Sequence, residues 1–221
     1  MKIVVTCGPS YEPIDDVRRI TNFSTGSLGV ALSNRLTDAG HEVFCWGGLL
    51  ATCREPNRVA HSCSFTTGQD LLDQLTAFAP NHSVDAVFHA AAIGDYIVAG
   101  VCDSSGNTIL QKKIRSTGGA ITVTLWPAVK VIRHLRGLFP AARIIGWKYE
   151  VDGTPDDALL LGHRQIAENW TDACVVNGPV LGKCYAVCQD GLMPMFFETQ
   201  PDLFSGLLAL LDGAKKTGVA T

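Results

Sequence analysis

Three short segments hold residue types suited to binding anions and sugars. The first runs Cys7-Gly8-Pro9-Ser10, then Glu12-Pro13-Ile14-Asp15-Asp16-Val17-Arg18-Arg19-Ile20-Thr21-Asn22-Phe23-Ser24-Thr25-Gly26-Ser27-Leu28-Gly29. Gly8, directly after a strand-like run, permits close backbone approach, and Ser24-Thr25-Gly26 opens a helical pattern whose free N–H groups and dipole favour an anion. The glycines are too far apart for GxGxxG, and no Gly-Lys-Ser/Thr follows, so neither familiar phosphate loop is present. A turn glycine and a capped helix would explain these residues without a ligand. Arg18 and Asn22, on a loop long enough to overhang a sheet, favour binding.

The second segment is His89-Ala90-Ala91-Ala92-Ile93-Gly94-Asp95-Tyr96. Small residues at a strand's end let a flat ring or ribose lie against the backbone, and Asp95 could accept ribose hydroxyls or help hold a metal ion. The plainer reading of Asp95 is a turn aspartate capping its own backbone. His89, beside an apolar run, reads as a core histidine rather than a base. The third segment, Gln111-Lys112-Lys113-Ile114-Arg115, is either a solvated face or a cover that folds over polyphosphate.

The elements that would position these segments alternate along the chain. Residues 2–6, 42–46, 58–65, 86–90, 121–125, 143–147 and 173–177 read as strands. Residues 26–39, 68–79, 129–138, 156–169 and 202–215 read as helices, with Thr67 as an N-cap and Gly40 as a stop. Unbroken apolar runs such as Ile3-Val4-Val5 suit a parallel sheet covered on both faces. The expected fold is α/β: a doubly wound, mostly parallel, Rossmann-like sheet. A late antiparallel hairpin is expected over 183–198, turning at Asp190-Gly191. Residues 7–25 and 91–119 break the rhythm as long loops, each after a strand's carboxyl end. No repeat or linker interrupts the pattern, so 1–221 reads as one domain.

Composition narrows the function classes. The chain has 221 residues, 47% hydrophobic and 18% charged, which suits a domain burying about 70% of its unfolded surface rather than a disordered chain. A net charge of −3 gives no bulk attraction for nucleic acid. No apolar run approaches the ~20 residues that span a bilayer. Eight cysteines without a CxxC pair, and Met1-Lys2 running straight into a strand, read as reduced thiols in a cytoplasmic protein. The six histidines pair with no cysteine at ligand spacing, so no resident metal site is expected.

In this order and spacing the segments resemble the phosphopantothenoylcysteine synthetase (phosphopantothenate–cysteine ligase) family. Its T-x-G-G/P-T-x-E-P-I-D loop is similar to Thr6–Asp15, and its V-R-x-I-S/T-N-x-S-S/T-G-x-x-G stretch to Val17–Gly29. Its A-A-V-A/S-D-Y segment resembles Ala91–Tyr96, and its K-I-K/R loop resembles Lys113-Ile114-Arg115. More loosely, G-F-x-x-E-T resembles Gly146–Val151, and V-A-N-D resembles Val175-Val176-Asn177-Gly178. The chain departs from the family at Gln165 and Asn169, where lysines are usual, and at Gly178.

The resemblance implies a two-step ligation. CTP or ATP, with Mg²⁺, activates the carboxylate of phosphopantothenate as an acyl-nucleotide, and cysteine's amine then attacks it. It further implies Lys113 in forming the intermediate and Asn22 in orienting it. Gly8, Ser10, Ser24, Gly26, Ala91, Asp95, Trp147 and Asn177 would lie around the nucleotide and Arg18 on the pantothenate side. Residues 112–118 would form a flap, and the chain would form a homodimer. Two other readings stand beside it. One is a nucleotide-binding relative without ligase turnover, motivated by the departures. The other is an NAD(P)-dependent short-chain reductase, against which no tyrosine here has a lysine four residues later.

Overall fold

The computed structural model describes residues 1–213. Strand β1 (Lys2–Cys7) leads through a short hairpin, β2 (Tyr11–Pro13) and β3 (Arg19–Thr21), into α1 (Ser27–Asp38). Then come β4 (Glu42–Gly48), β5 (His61–Phe65), α2 (Gly68–Phe78) and β6 (Ala86–His89). A second hairpin, β7 (Tyr96–Asp103) and β8 (Ile121–Pro127), precedes α3 (Ile132–Leu138), β9 (Arg143–Tyr149), α4 (Pro155–Asn169) and β10 (Ala173–Asn177). The last described elements are β11 (Tyr185–Gln189), β12 (Met195–Phe197) and α5 (Gln200–Gly213).

Eight strands form one sheet in the order β12-β11-β10-β9-β6-β1-β4-β5. Neighbours from β10 to β5 are parallel, while β11 and β12 run antiparallel. From β1 the chain winds outward through β4 and β5, then returns to the other side through β6, β9 and β10. That reversal between β1 and β6 opens a crevice at their carboxyl ends, where such sheets place ligands.

Strand alternation divides the core. Ile3, Val5, Phe88 and Val175 meet Leu32 and Leu36 of α1 and Leu203 and Leu207 of α5 on one face. Val4, Val87 and Ile144 meet Leu71 and Leu75 of α2 and Leu135 of α3 on the other. Each such side chain, fully buried, stabilises the fold by about 1.5–3 kcal/mol. Thr67 caps α2 by accepting from the Asp70 N–H at 3.0 Å, and Gly40 ends α1 in the left-handed region at φ +82.

The expected fold class and late hairpin are observed, but two connections differ from expectation. Residues 91–119 are not one loop, because β7 pairs with β8 as a hairpin outside the main sheet. The stretch expected as a sheet strand at 121–125 is therefore part of this arm. The connection between its strands, residues 104–120, is still a long loop, and it opens with a turn in which Asp103 accepts from the Ser105 and Asn107 N–H groups. Similarly, residues 7–25 contain the β2–β3 hairpin. Strand β5 starts at His61 rather than residue 58, since the Arg58 N–H donates to the Asn34 side chain. Helix α3 begins at Ile132 rather than residue 129, and residues 214–215 of the last expected helix lie outside the described residues.

Candidate active site

A cavity of about 850 Å³ opens over the carboxyl ends of the sheet, within the range of small-molecule sites. Its walls come from residues 22–29, 89–95, 129–132 and 147–149, with Gln165, Asn177, Tyr185 and Gln200. A recess of about 390 Å³ shares Tyr149, Asn177 and Tyr185 with it and adds Lys183.

The first two loops are laced together. Ser10 N–H donates to the Ala92 carbonyl at 3.1 Å and Ala92 N–H to the Gly8 carbonyl at 2.9 Å. The buried Ser10 hydroxyl accepts from Gly94 N–H at 2.8 Å. Gly8 has φ +77, and an added Cβ would lie 3.0 Å from Ala51 Cβ, so both conformation and space favour glycine. The Asn22 side chain crosses to the same lattice, donating through Nδ2 to the Ala92 carbonyl at 3.0 Å. Asn22 itself lines the cavity. Gly26, at φ +79, begins α1 without a side-chain cap, leaving first-turn N–H groups beside the cavity.

The far wall carries the charge. Lys130 pairs with Asp95, and the Asp95 carbonyl accepts from Ala128 N–H at 2.8 Å, joining the loop after β6 to the approach of α3. Lys148 pairs with Glu150 at 3.1 Å. Gln165 is engaged inside the fold: its Nε2 donates to the Trp147 carbonyl at 3.1 Å and its Oε1 accepts from Cys174 Sγ at 2.7 Å. Trp147 Nε1 and Asn177 Oδ1 are buried without a protein partner. His89 is buried against Thr6, Oγ1 to Nδ1 2.7 Å, and burial pushes it down to about 4. It is therefore a neutral core histidine near pH 7.

Of the residues singled out from sequence, Asn22, Ser24, Gly26, Ala91, Asp95, Trp147 and Asn177 line this cavity. Gly8 and Ser10 stand behind the wall and shape it. Arg18 and Lys113 lie elsewhere, on the contact between the β2–β3 hairpin and the loop before β8. Arg18 donates to the Asp15 carboxylate at 2.6 Å and to the Ile114 carbonyl at 3.1 Å. Burial pushes the Asp15 carboxyl up, but N–H groups of Ile114, Val17 and Arg18 and the guanidinium outweigh it and hold the carboxyl below its ordinary value. Lys113 is exposed next to this anchor. Sequence reasoning missed Lys130 and Lys148. Lys148 lies near the end of β9, where an α/β sheet gathers ligands, and that position was the available signal; Lys130 follows β8 of the arm, outside the main sheet, and offered none.

A doubly wound sheet with a ligand-sized cavity at its reversal defines a Rossmann-like α/β protein. Residues 1–179 match the DNA/pantothenate metabolism flavoprotein C-terminal domain, and the chain belongs to that family. It is 27% identical over 176 residues to the coenzyme A biosynthesis bifunctional protein CoaBC of Thermococcus kodakarensis, covering 80% of this chain and 41% of that protein. The chain spans about half the length, or less, of the curated relatives it matches. The crystal structure of the DNA/pantothenate metabolism flavoprotein from Streptococcus pneumoniae superposes with TM-score 0.84 at 25% identity, covering 97% of this chain and 99% of that one. A Cab2 mutant in complex with phosphopantothenate-cysteine shares the fold, with TM-score 0.74 at 16% identity over 96% of this chain and 86% of that one.

Proposed function

We propose that residues 1–221 act as one unit, a phosphopantothenate–cysteine ligase of coenzyme A biosynthesis working on dissolved substrates in the cytoplasm. The observation that carries this reading is the 850 Å³ cavity at the switch point, with Asn22 fixed on its rim, in a chain of this family. The complex of a fold relative with phosphopantothenate-cysteine agrees with it.

The chemistry joins anions. A carboxylate must approach the α-phosphate of CTP or ATP, so charge compensation and alignment dominate the first step. Asp95 is the carboxylate lining the cavity, and no three His, Cys, Asp or Glu side chains converge on a metal site among the described residues. Such a wall fits Mg²⁺ carried largely by phosphates and water, with Asp95 as its protein ligand. When bound, that ion offsets phosphate charge. The aromatic face of Trp147 and the unpaired Asn177 oxygen suit a base, and Ser24 and Gly26 suit the sugar-phosphate. Asn22, a neutral donor–acceptor held by Ala92, orients the acyl carbonyl for attack by cysteine's amine. Lys113, exposed beside the anchor at Ile114, would serve the first step, and Arg18, held at that anchor, would border the acid.

A pyrophosphate-release assay with CTP and with ATP, with and without phosphopantothenate and cysteine, tests the reading. The expected result is pyrophosphate with at least one nucleotide, dependent on the acid. Tight nucleotide binding without pyrophosphate would instead identify a relative without turnover.

A further inference from the structure

The two walls of the cavity differ in chemistry. Along β9 the side chains alternate: Trp147, like Leu28 and Tyr185, packs against the core cluster on the α1/α5 face. Lys148 turns to the opposite face, where its charge is felt by Cys174 in the cluster under α4. Lys130 enters from that same side, just before α3. Among the described residues these two ammonium groups are the side-chain cations lining the cavity, since His89 is neutral near pH 7.

We propose that Lys130, seconded by Lys148, takes the β- and γ-phosphates of the nucleoside triphosphate, and that the Lys130–Asp95 pair is the empty-site arrangement which polyphosphate displaces. This rests on the nucleotide-dependent reading above and adds residues that reading does not assign. An ammonium is a compact point charge suited to a phosphate oxygen. Lys130 and Asp95 are 47% and 66% exposed in their side chains, and a pair so open to water is held weakly. A multiply charged phosphate chain therefore outcompetes one carboxylate for Lys130. The exchange also frees Asp95 to accept other partners, so the empty site keeps its charges matched and the loaded site redistributes them. Gln165, committed to the Trp147 carbonyl and Cys174, supplies no charge on this wall.

Titration calorimetry on the full chain tests the assignment, with CTP against CMP and ATP against AMP, for the wild type, Lys130→Met, Lys130→Arg and Lys148→Met. Lys130→Met should weaken triphosphate binding about tenfold or more, leave monophosphate binding unchanged, and flatten the salt dependence of the triphosphate. Lys148→Met should act in the same direction, and Lys130→Arg should restore most of the triphosphate affinity. Equal weakening of triphosphate and monophosphate, or no change in either, overturns the assignment while the proposed function stands. A wild type that binds neither nucleotide overturns the proposed function and this assignment with it.

Discussion

Asn22 and Lys113 differ in how the fold holds them, and that difference shapes what their substitution should do. Asn22 donates to the Ala92 carbonyl, so Asn22→Asp sets a carboxylate against a carbonyl and loses the orienting bond. The first step needs only alignment of the acid with the nucleotide, so acyl-nucleotide should accumulate while amide formation falls. Quenched-flow product analysis would show it, and normal amide yield would exclude Asn22 from that role. Lys113 is exposed, so Lys113→Gln should leave the thermal midpoint within about a degree or two while abolishing pyrophosphate release. Full turnover in that variant would remove Lys113 from the reaction. His89 acts on stability. Burial lowers it from an ordinary 6.5 to about 4, so between those values the unfolded chain binds more protons than the folded one. Its contribution is complete above about pH 6.5 and is lost as pH falls toward 4, on the order of 3 kcal/mol in total. Urea unfolding of wild type and His89→Gln from pH 7 to 4 checks this, because the variant should lack that part of the slope.

At the scale of elements, the site depends on how closely α1 is pressed to β1. A Cβ added at Gly29 would fall 2.1 Å from Cys7 Cβ, so the helix approaches the strand with no room for a side chain. Gly29→Ala must push α1 outward and carry residues 22–28 with it. The expected cost is about 1–3 kcal/mol, read as a fall in the urea midpoint, together with weaker nucleotide binding; an unchanged midpoint would mean α1 yields freely. Gly29 was legible in sequence as part of a motif, whereas its contact with Cys7 is tertiary. The same boundary runs through the rest of the fold. Ile3-Val4-Val5 announces a strand buried on both faces, since each of its residues is fully covered. The β7–β8 arm is not announced, because its strands lie outside the main sheet and show solvent much of their length. A short run of Ile121, Val123 and Leu125 reads alike in a sheet and in an arm. Lys130 stayed hidden for a related reason: the sequence pattern starts a helix at 129, which makes Lys130 a first-turn surface residue. The observed helix begins at Ile132, leaving Lys130 on the approach, where its chain can reach Asp95.

The whole molecule raises the question of what the arm is for. A two-stranded hairpin is marginal alone; this one is fastened at its root by Ala128 N–H to the Asp95 carbonyl and farther out by the buried Val101. Next to that root Ile97 pairs with Trp126 and Val98 with Leu125, and Tyr96, Ile97, Leu125 and Trp126 are all exposed. Apolar surface gathered on one projecting element marks an interaction site more often than an accident of composition. The root of the arm is also the wall of the cavity, since Asp95 precedes β7 and Val129-Lys130 follow β8 shortly. Phe23, beside Asn22 on the cavity rim, is wholly exposed. Ile97 and Trp126 are cross-strand partners on one face of the arm, and an isologous contact of arm with arm would cover that face in a homodimer, with each large side chain buried there contributing about 1.5–3 kcal/mol. Ile97→Asp with Trp126→Asp would bury two unpaired carboxylates in such a contact and should turn a dimer into a monomer by sedimentation velocity at micromolar concentration. Because the arm begins and ends at the cavity wall, the monomeric variant should also bind nucleotide more weakly. A wild type that sediments as a monomer at those concentrations would remove the dimer, and an unchanged nucleotide affinity in the monomeric variant would separate the arm from the site.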